Sequence, residues 1–327
     1  LGYAGAVTAL LKDALRPNLV QTCEGTPALV HTGPFANIAH GNSSVIADLT
    51  ALRLADYVVT ESGFGADCGA EKLFDIKCRT ADLRPAAMVI VASIRALKYH
   101  SARFILPPTG PLPPELLEPN VDAVVAGLPN LLAHLKIVSR FGVPAVVALN
   151  RFPGDSADEI AAVRSAVSTA GASGFAVSDA FVRGGAGAEE LAGEVIAACE
   201  LPNRFNFLYP SDLSIEEKLR RIAVEIYGAG EVDISESVRE QLSRLKTLGY
   251  DGSSVCVAKT QYSLSHDPRL LGCPTGFRFP VGELRLAAGA GFVTALAGEI
   301  RTMPGLPAKP AALEIDIEAD GRIRGLR

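Results

Sequence analysis

The 327-residue chain contains no tryptophan and no Cys-x-x-Cys pair. Its six cysteines, at positions 23, 68, 78, 199, 256 and 273, lack the close spacing of zinc ligands, so we predict no protein-bound metal. Scattered cysteines in a chain of this size indicate a reducing compartment, and we predict a cytoplasmic protein. No run of about 18 consecutive apolar residues occurs, which argues against a membrane-spanning segment.

The chain also lacks the usual loop for binding nucleotide phosphates. No Gly-Lys dipeptide occurs, which excludes the GxxxxGK[S/T] motif. GFGADCG at 63–69 has the spacing GxGxxxG, whereas the dinucleotide fingerprint requires GxGxxG. The formal net charge of −5 argues against a nucleic-acid partner.

The chain begins with leucine, and its first 15 residues have neither a charged leader nor a cleavage site. This stretch does not resemble a signal peptide. It is typical of the inside of a helix, so we expect the sequence to be a fragment.

Apolar runs alternate with amphipathic stretches along the first two thirds of the chain. We predict strands at PALVH, DYVVT, AAMVIVA, PAVVALN and GFAVSD, and helices between them that begin at caps including Ser43, Asp122 and Ser156. This alternation predicts an α/β fold in which helices flank parallel sheets. The six prolines of 104–120 predict a surface connection.

After about residue 210 the pattern changes. Two amphipathic helices are followed by short β-rich segments, and the Asp-Gly pair at 320–321 predicts a hairpin. We therefore expect a smaller α+β unit at the carboxyl end.

Ligands in parallel α/β sheets bind beyond the carboxyl ends of the strands. Phe64, Phe152 and Phe181 each lie in a loop that follows a predicted strand. Aromatic residues usually join the core, but these three could instead converge on one cleft and stack on a flat ligand. His40 could act as an acid or base, or could be a structural hydrogen-bonding residue.

Longer blocks carry a resemblance to a known family. GPFANIAHG, ADYVVTESGFGADCGAEKLFDIKCR, FGVPAVVALNRFP, AKTQYSLS, LRLAAGAGF and MPGLPAKPAA resemble formate–tetrahydrofolate ligase, essentially from residue 1 to 327. The resemblance implies ATP-dependent ligation of formate to tetrahydrofolate through formyl phosphate, in one-carbon metabolism. It also implies ATP with Mg²⁺ as the substrate complex, a monovalent cation as activator, and a homo-oligomer.

The resemblance implies a folate pocket formed by Phe64, Phe152, Pro153, Val177 and Phe181. Phe181 stands where the family carries tryptophan, and Val177 where it often carries leucine. Asn42 similarly occupies a position where the family commonly has cysteine.

The same resemblance places Lys259 and Thr260 near the nucleotide, although Lys259 could equally be a solvated lysine. Catalytic residues are not identified, and His40 and Lys259 are the candidates. Asp67 could orient polar groups together with Glu71 and Lys72, or could cap the helix that follows it.

By this resemblance, residues 1–133 are the remaining part of a P-loop NTPase-like nucleotide domain, 134–226 an α/β domain with much of the folate cleft, and 227–327 the α+β unit. Family members carry a phosphate loop in an amino-terminal segment that is absent here.

Two functions stay open: a ligase of which this chain is one part, and a non-catalytic folate-binding module. A purely structural partner is a third possibility. Loss of neighbouring strands is expected to expose apolar edges.

Overall fold

A computed structural model describes residues 2–33, 35–106, 111–298, 300 and 309–325. Part of the proline-rich connection and most of the MPGLPAKPAA block lie outside these ranges. The α-helices are α1 (Ala4–Leu11), α2 (Val45–Ala51), α3 (Arg79–Ala81), α4 (Ile94–His100), α5 (Pro114–Leu117), α6 (Val121–Arg140), α7 (Ala157–Thr169), α8 (Ala180–Arg183), α9 (Glu189–Cys199), α10 (Ile215–Arg221) and α11 (Glu236–Thr247). The strands are β1 (Asn18–Gln21), β2 (Pro27–Val30), β3 (Met88–Ala92), β4 (Ala145–Asn150), β5 (Gly174–Ser178), β6 (Glu231–Ile234), β7 (Ser254–Ala258), β8 (Arg278–Val281), β9 (Glu283–Ala287), β10 (Phe292–Leu296), β11 (Asp316–Ile317) and β12 (Ile323–Arg324).

The central sheet is parallel, with the strand order β3-β4-β5. Val147 in the middle strand pairs with Ile90 on one side and with Phe175 on the other, and all three side chains are buried. Helices α6, α7 and α9 pack against this sheet, and α4 packs against α6. The three continuous apolar runs are therefore strands covered by helices, and the predicted α/β class is confirmed.

Helix α6 is the core helix of this region. It is long and apolar enough to cross a membrane by composition alone, with a mean hydropathy of 1.4 over its most apolar window. Half of that window is buried, and the helix packs against α4 and α7. Burial inside the fold explains its apolar character. Because α6 runs through position 133, the predicted boundary between the first two domains falls inside a helix.

The predicted helix caps are right at one position and wrong at two. Ser156 caps α7 through a reciprocal capping box with Glu159. Helix α2 is capped by Ser44 rather than Ser43, and α6 by Asn120 rather than Asp122. In each case the residue that accepts an N–H bond from the first turn is the one with extended or other non-helical backbone, as a cap requires.

DYVVT was predicted to be a strand, and this prediction is wrong. Its residues form no ladder in the described chain, and Val59 is 91% exposed. The nearest pairing is an isolated bridge between Asn42 and Ser62. A strand needs a neighbour with which to exchange backbone hydrogen bonds, so β-propensity alone does not create one. PALVH does form β2, but it pairs antiparallel with β1.

The first 59 residues expose many large apolar side chains. Leu10 is 86% exposed, Leu19 70% and Leu54 78%. None of the described residues of α1, β1 or β2 is fully buried. This part of the chain therefore presents an apolar surface, as expected for elements that lack neighbours.

The carboxyl-terminal region combines short parallel and antiparallel strands. Strand β10 pairs parallel with β7 and antiparallel with β9, and β6 pairs parallel with β8. The hairpin β11–β12 turns at the predicted Asp-Gly pair. The α+β character predicted for this region is confirmed.

Several lysines lie inside the protein rather than on its surface. Lys98 pairs with Glu159 at 2.6 Å, and Lys218 donates hydrogen bonds to three backbone carbonyls. The full set of buried lysines is Lys72, Lys77, Lys98, Lys218 and Lys259. Buried ammonium groups are stable only with such partners, so these side chains tie separate segments together.

Candidate functional site

Two of the predicted pocket aromatics lie at one edge of the central sheet. Asn150 at the end of β4 pairs with Ser178 at the end of β5, so the loops that follow start side by side. Phe152 is 37% exposed, and Phe181 on α8 is completely exposed. Exposed rings at adjacent strand ends are available to a ligand rather than committed to the core.

The turn around Phe152 is held by two contacts. Its backbone N–H donates to the Asp155 carboxylate at 2.8 Å. The Arg95 guanidinium carbon lies 4.2 Å from the centre of the Phe152 ring. One face of the ring is thus covered by a cation, while 37% of the residue stays exposed. Pro153 beside it is exposed, and Val177 in β5 is half-buried against the core.

Phe64 lies on a tight elbow. Its backbone has φ of +65°, a left-handed conformation that is costly for a residue with a side chain, and its ring is 46% exposed. A Cβ at the following Gly65 would meet the Asp67 carboxylate at 2.6 Å and the His134 ring at 2.7 Å. Glycine is required there because other side chains approach the backbone closely.

The three phenylalanines form no ring contact with one another within the described residues. Phe152 and Phe181 share a sheet edge, whereas Phe64 is carried by the segment that leads into the π-helical turn Ala66–Ala70. Convergence of all three on one cleft, with Pro153 and Val177, therefore stays a prediction.

The residue behind the elbow, Asp67, forms a buried ion pair with Lys259. Lys259 Nζ lies 2.5 Å from Asp67 Oδ2, and the Lys259 side chain is completely buried. The same ammonium donates to the backbone carbonyls of Ser263 at 2.6 Å and Thr260 at 3.1 Å. Asp67 makes no cap hydrogen bond to its own helix, so the capping interpretation is wrong. The pair instead joins the elbow to the loop after β7.

Burial and ion pairing shift the pKa values of Asp67 and Lys259 in opposite directions. Burial, the largest single influence, raises the pKa of Asp67, but the Lys259 ammonium together with His134 and Cys68 outweighs it and holds that pKa below its usual value. Burial likewise lowers the pKa of Lys259, and Asp67 together with Cys68 more than reverses the effect. Both groups are therefore charged at neutral pH.

Nucleotide contacts at Lys259 and Thr260 stay a prediction. Asp67, Ser263 and Thr260 already accept from the three donors of the Lys259 ammonium, so a phosphate would have to displace one of them. Thr260 is half-buried, and its hydroxyl accepts from the Tyr262 N–H at 3.3 Å.

A small polar cavity of about 30 Å³ adjoins the pair. His134 Nδ1 lies 3.9 Å from Asp67 Oδ1, and burial lowers the pKa of His134. His100 accepts from the Gly272 N–H through Nδ1, and burial lowers its pKa to about 4. The cavity is lined by Gly65, Asp67, His100, Asn130, His134, Gln261, Tyr262, Ser263 and Leu264. Its size suits a single water between two neutral histidines.

His40 is half-buried, and its Nδ1 accepts a hydrogen bond from the Asn42 N–H at 3.2 Å. Burial, followed by the nearby Lys77 ammonium, lowers the pKa of His40. The ring is therefore neutral at physiological pH, with Nε2 carrying the proton. A role as acid or base stays a prediction, since Nε2 is the nitrogen left for it.

Loop 35–42 is anchored to the segment after the elbow. Lys72 donates to the carbonyls of Ala36 at 2.8 Å and Asn37 at 3.2 Å. Asn42 donates to the Ser62 hydroxyl at 2.9 Å. Glu71 is completely buried, and burial followed by the neighbouring Asp75 raises its pKa well above the usual value. Lys72 thus positions the loop, while the raised pKa of Glu71 favours its neutral form more than in an exposed glutamate.

Sequence reasoning missed three residues: Arg95 beside Phe152, His134 beside Asp67, and Arg164 of α7, whose guanidinium lies over the Phe175 ring of β5. Arg95 and His134 carry no local signal, because each reaches its partner through tertiary packing. Arg164 follows Ala157, Ile160 and Ala161 at helical spacing, and this stripe could have been recognised as one face of α7.

Comparison with known proteins identifies relatives along the whole chain. The family model for formate–tetrahydrofolate ligase matches residues 1–327. Proteins named formate–tetrahydrofolate ligase are 56% identical in Roseiflexus sp. (strain RS-1), 53% in Roseiflexus castenholzii and 52% in Cutibacterium acnes, each over 326 residues. These alignments cover 100% of this chain and 58% of each relative. The chain thus spans less than two thirds of the length of the curated relatives it matches.

Proposed function

Because this chain belongs to the formate–tetrahydrofolate ligase family, we propose that it forms the folate-binding part of an enzyme that ligates formate to tetrahydrofolate. The proposed reaction consumes ATP and proceeds through formyl phosphate. The observation that carries the proposal is the pair of exposed rings, Phe152 and Phe181, at adjacent strand ends of a chain that matches the family throughout.

The residues of this chain do not fit ATP and Mg²⁺ as a complete site. No Gly-Lys dipeptide is present, and the buried Lys259 is already engaged by Asp67 and two carbonyls. We therefore assign no step of phosphoryl transfer, and no cation, to residues of this chain. Phosphate binding is proposed to need residues that these 327 do not include.

We predict that the purified 327-residue chain binds tetrahydrofolate but has little or no ligase activity. The measurement is ATP- and formate-dependent formation of formyltetrahydrofolate, with the Roseiflexus sp. relative as the positive control. Absence of turnover in a folded, folate-binding chain is the expected result. Robust turnover would show that a phosphate site exists without the glycine-rich loop.

The alternative is a non-catalytic folate-binding module, which the absence of Gly-Lys also supports. The two proposals separate when the portion of the Roseiflexus sp. relative that lies outside the alignment is added to the chain. Restored turnover supports the ligase. Tight association without turnover supports the binding module.

The exposed ring of Phe181 provides a direct test of the folate pocket. Phe181→Ala is expected to weaken tetrahydrofolate binding by about 1–3 kcal/mol, the range for base–aromatic stacking. Titration calorimetry measures the change, and Val182→Ala, at a neighbouring residue 75% exposed, is the matched control. Equal affinities of the folded Phe181→Ala variant and the parent chain would remove Phe181 from the pocket.

We further propose, from family membership, that the protein acts in the cytoplasm on small molecules and assembles as a homo-oligomer. The apolar surface of the first 59 residues gives the chain a face that can associate.

A further inference from the structure

A groove of about 350 Å³ lies beside Phe152, between the turn after β4 and helix α7. Its volume falls in the range of small-molecule sites. The lining residues are Arg151, Asp155, Ala157, Ile160, Ala161 and Arg164.

The floor of the groove is apolar. Ala157, Ile160 and Ala161 project from one face of α7, and Arg164 continues that face. From Ala157 to Arg164 the helix rises about 10 Å. The groove therefore leads away from the Phe152 turn along an apolar stripe that ends at a guanidinium.

Both arginines of the groove retain free hydrogen-bonding capacity. Arg151 lies 3.6 Å from Asp179, and Arg164 lies 3.7 Å from Glu190. These separations exceed hydrogen-bond length, and each arginine side chain is 51% exposed. A guanidinium has five N–H donors, so each can receive a further carboxylate while its neighbour stays in place.

The one lining carboxylate, Asp155, is already occupied. It accepts the Phe152 N–H at 2.8 Å, and burial raises its pKa. Two arginines and one carboxylate line the groove, and Asp179 and Glu190 lie next to the arginines at distances that leave guanidinium donors free. An apolar floor bounded by guanidinium groups suits a ligand with a flat hydrophobic body and a terminal carboxylate.

We propose that this groove binds the aminobenzoyl-glutamate tail of the folate, with the benzoyl ring over Ile160 and Ala161 and a glutamate carboxylate on Arg164. The inference rests on the proposed folate-binding function, and it adds a second contact region to the exposed rings at the strand ends. Arg164 is then a residue that selects for the glutamate portion of the substrate.

The test compares two ligands that differ in that portion. Tetrahydrofolate and tetrahydropteroate, which lacks the glutamate, are titrated into the 327-residue chain and into Arg164→Gln. The parent chain is expected to bind tetrahydrofolate about tenfold more tightly than tetrahydropteroate, because a charge-assisted contact is lost with the glutamate. Arg164→Gln is expected to remove that difference and to leave tetrahydropteroate binding within about twofold.

Arg244→Gln, at an exposed residue of α11, is the matched control and should leave both affinities unchanged. Equal binding of the two ligands by the parent chain overturns the groove assignment while folate binding stands. Equal weakening of both ligands in Arg164→Gln also overturns it. Binding of neither ligand by the folded parent chain overturns the folate proposal itself. If Arg164→Gln does not fold, the difference between tetrahydrofolate and tetrahydropteroate binding by the parent chain still tests the groove assignment.

Discussion

Lys259→Met is expected to lower the free energy of unfolding by about 3–5 kcal/mol. The substitution leaves the Asp67 carboxylate buried without its ammonium partner, and breaking a buried pair on one side has this cost. Chemical denaturation monitored by circular dichroism measures the change. The double variant Asp67→Leu/Lys259→Met is expected to recover much of the loss, because no charge then stays buried.

The loss of unfolding free energy in Lys259→Met should depend on pH. The depressed pKa of Asp67 stabilises the fold above the carboxyl pKa of the unfolded chain, about 3.9, and this contribution disappears as the pH falls through the folded-state value. The deficit of Lys259→Met should therefore be largest near neutrality and shrink below about pH 4. Arg220→Met, which breaks an exposed pair with Glu216, should cost less than about 1 kcal/mol. A similarly small effect of Lys259→Met would contradict the structural role of the pair.

Gly127→Ala is expected to destabilise the protein by about 3 kcal/mol, at the upper end of the range for overpacking. Gly127 lies in α6, and an added Cβ would overlap the Leu97 carbonyl of α4. Because that obstacle is backbone rather than a flexible side chain, the two helices must move apart. Thermal and chemical denaturation report the loss.

Gly193→Ala is a control in which stability is expected to rise rather than fall. Gly193 lies in α9, and nothing stands within 4 Å of the position of its missing Cβ. Alanine there is expected to stabilise the helix by about 0.5–1 kcal/mol, since glycine is a poor helix former. Destabilisation by both substitutions would mean that helix contacts do not explain the effect at Gly127.

The strands that the sequence predicts well are those that are buried on both faces. PAVVALN is apolar up to its last residue because β4 is covered on both faces, so composition alone reveals it. DYVVT is also rich in β-branched residues, but it has no adjacent strand among the described residues. Strand formation depends on a partner elsewhere in the chain, and local propensity contains no information about that partner.

The candidate site shows the same limit. The position of Phe152 and Phe181 after two predicted strands follows from the α/β pattern of the sequence, whereas the adjacency of β4 and β5 is seen only in the structure. The pairing of Asp67 with Lys259 does not follow from the sequence pattern, because the two residues are far apart in sequence and meet only in the folded chain. From the sequence, Asp67 could be assigned a local role as a helix cap, but in the structure its carboxylate pairs with Lys259 instead.

The five interior lysines also determine the chemistry of the outer surface. The sequence contains nine lysines, and those outside this interior set, at positions 12, 136, 246 and 309, are exposed. Arginine consequently supplies most of the positive charge that solvent meets. Guanidinium groups keep their charge in alkaline solution, whereas amines do not. The cationic part of this surface is therefore almost insensitive to high pH, and acylating reagents that consume amines find few places to react.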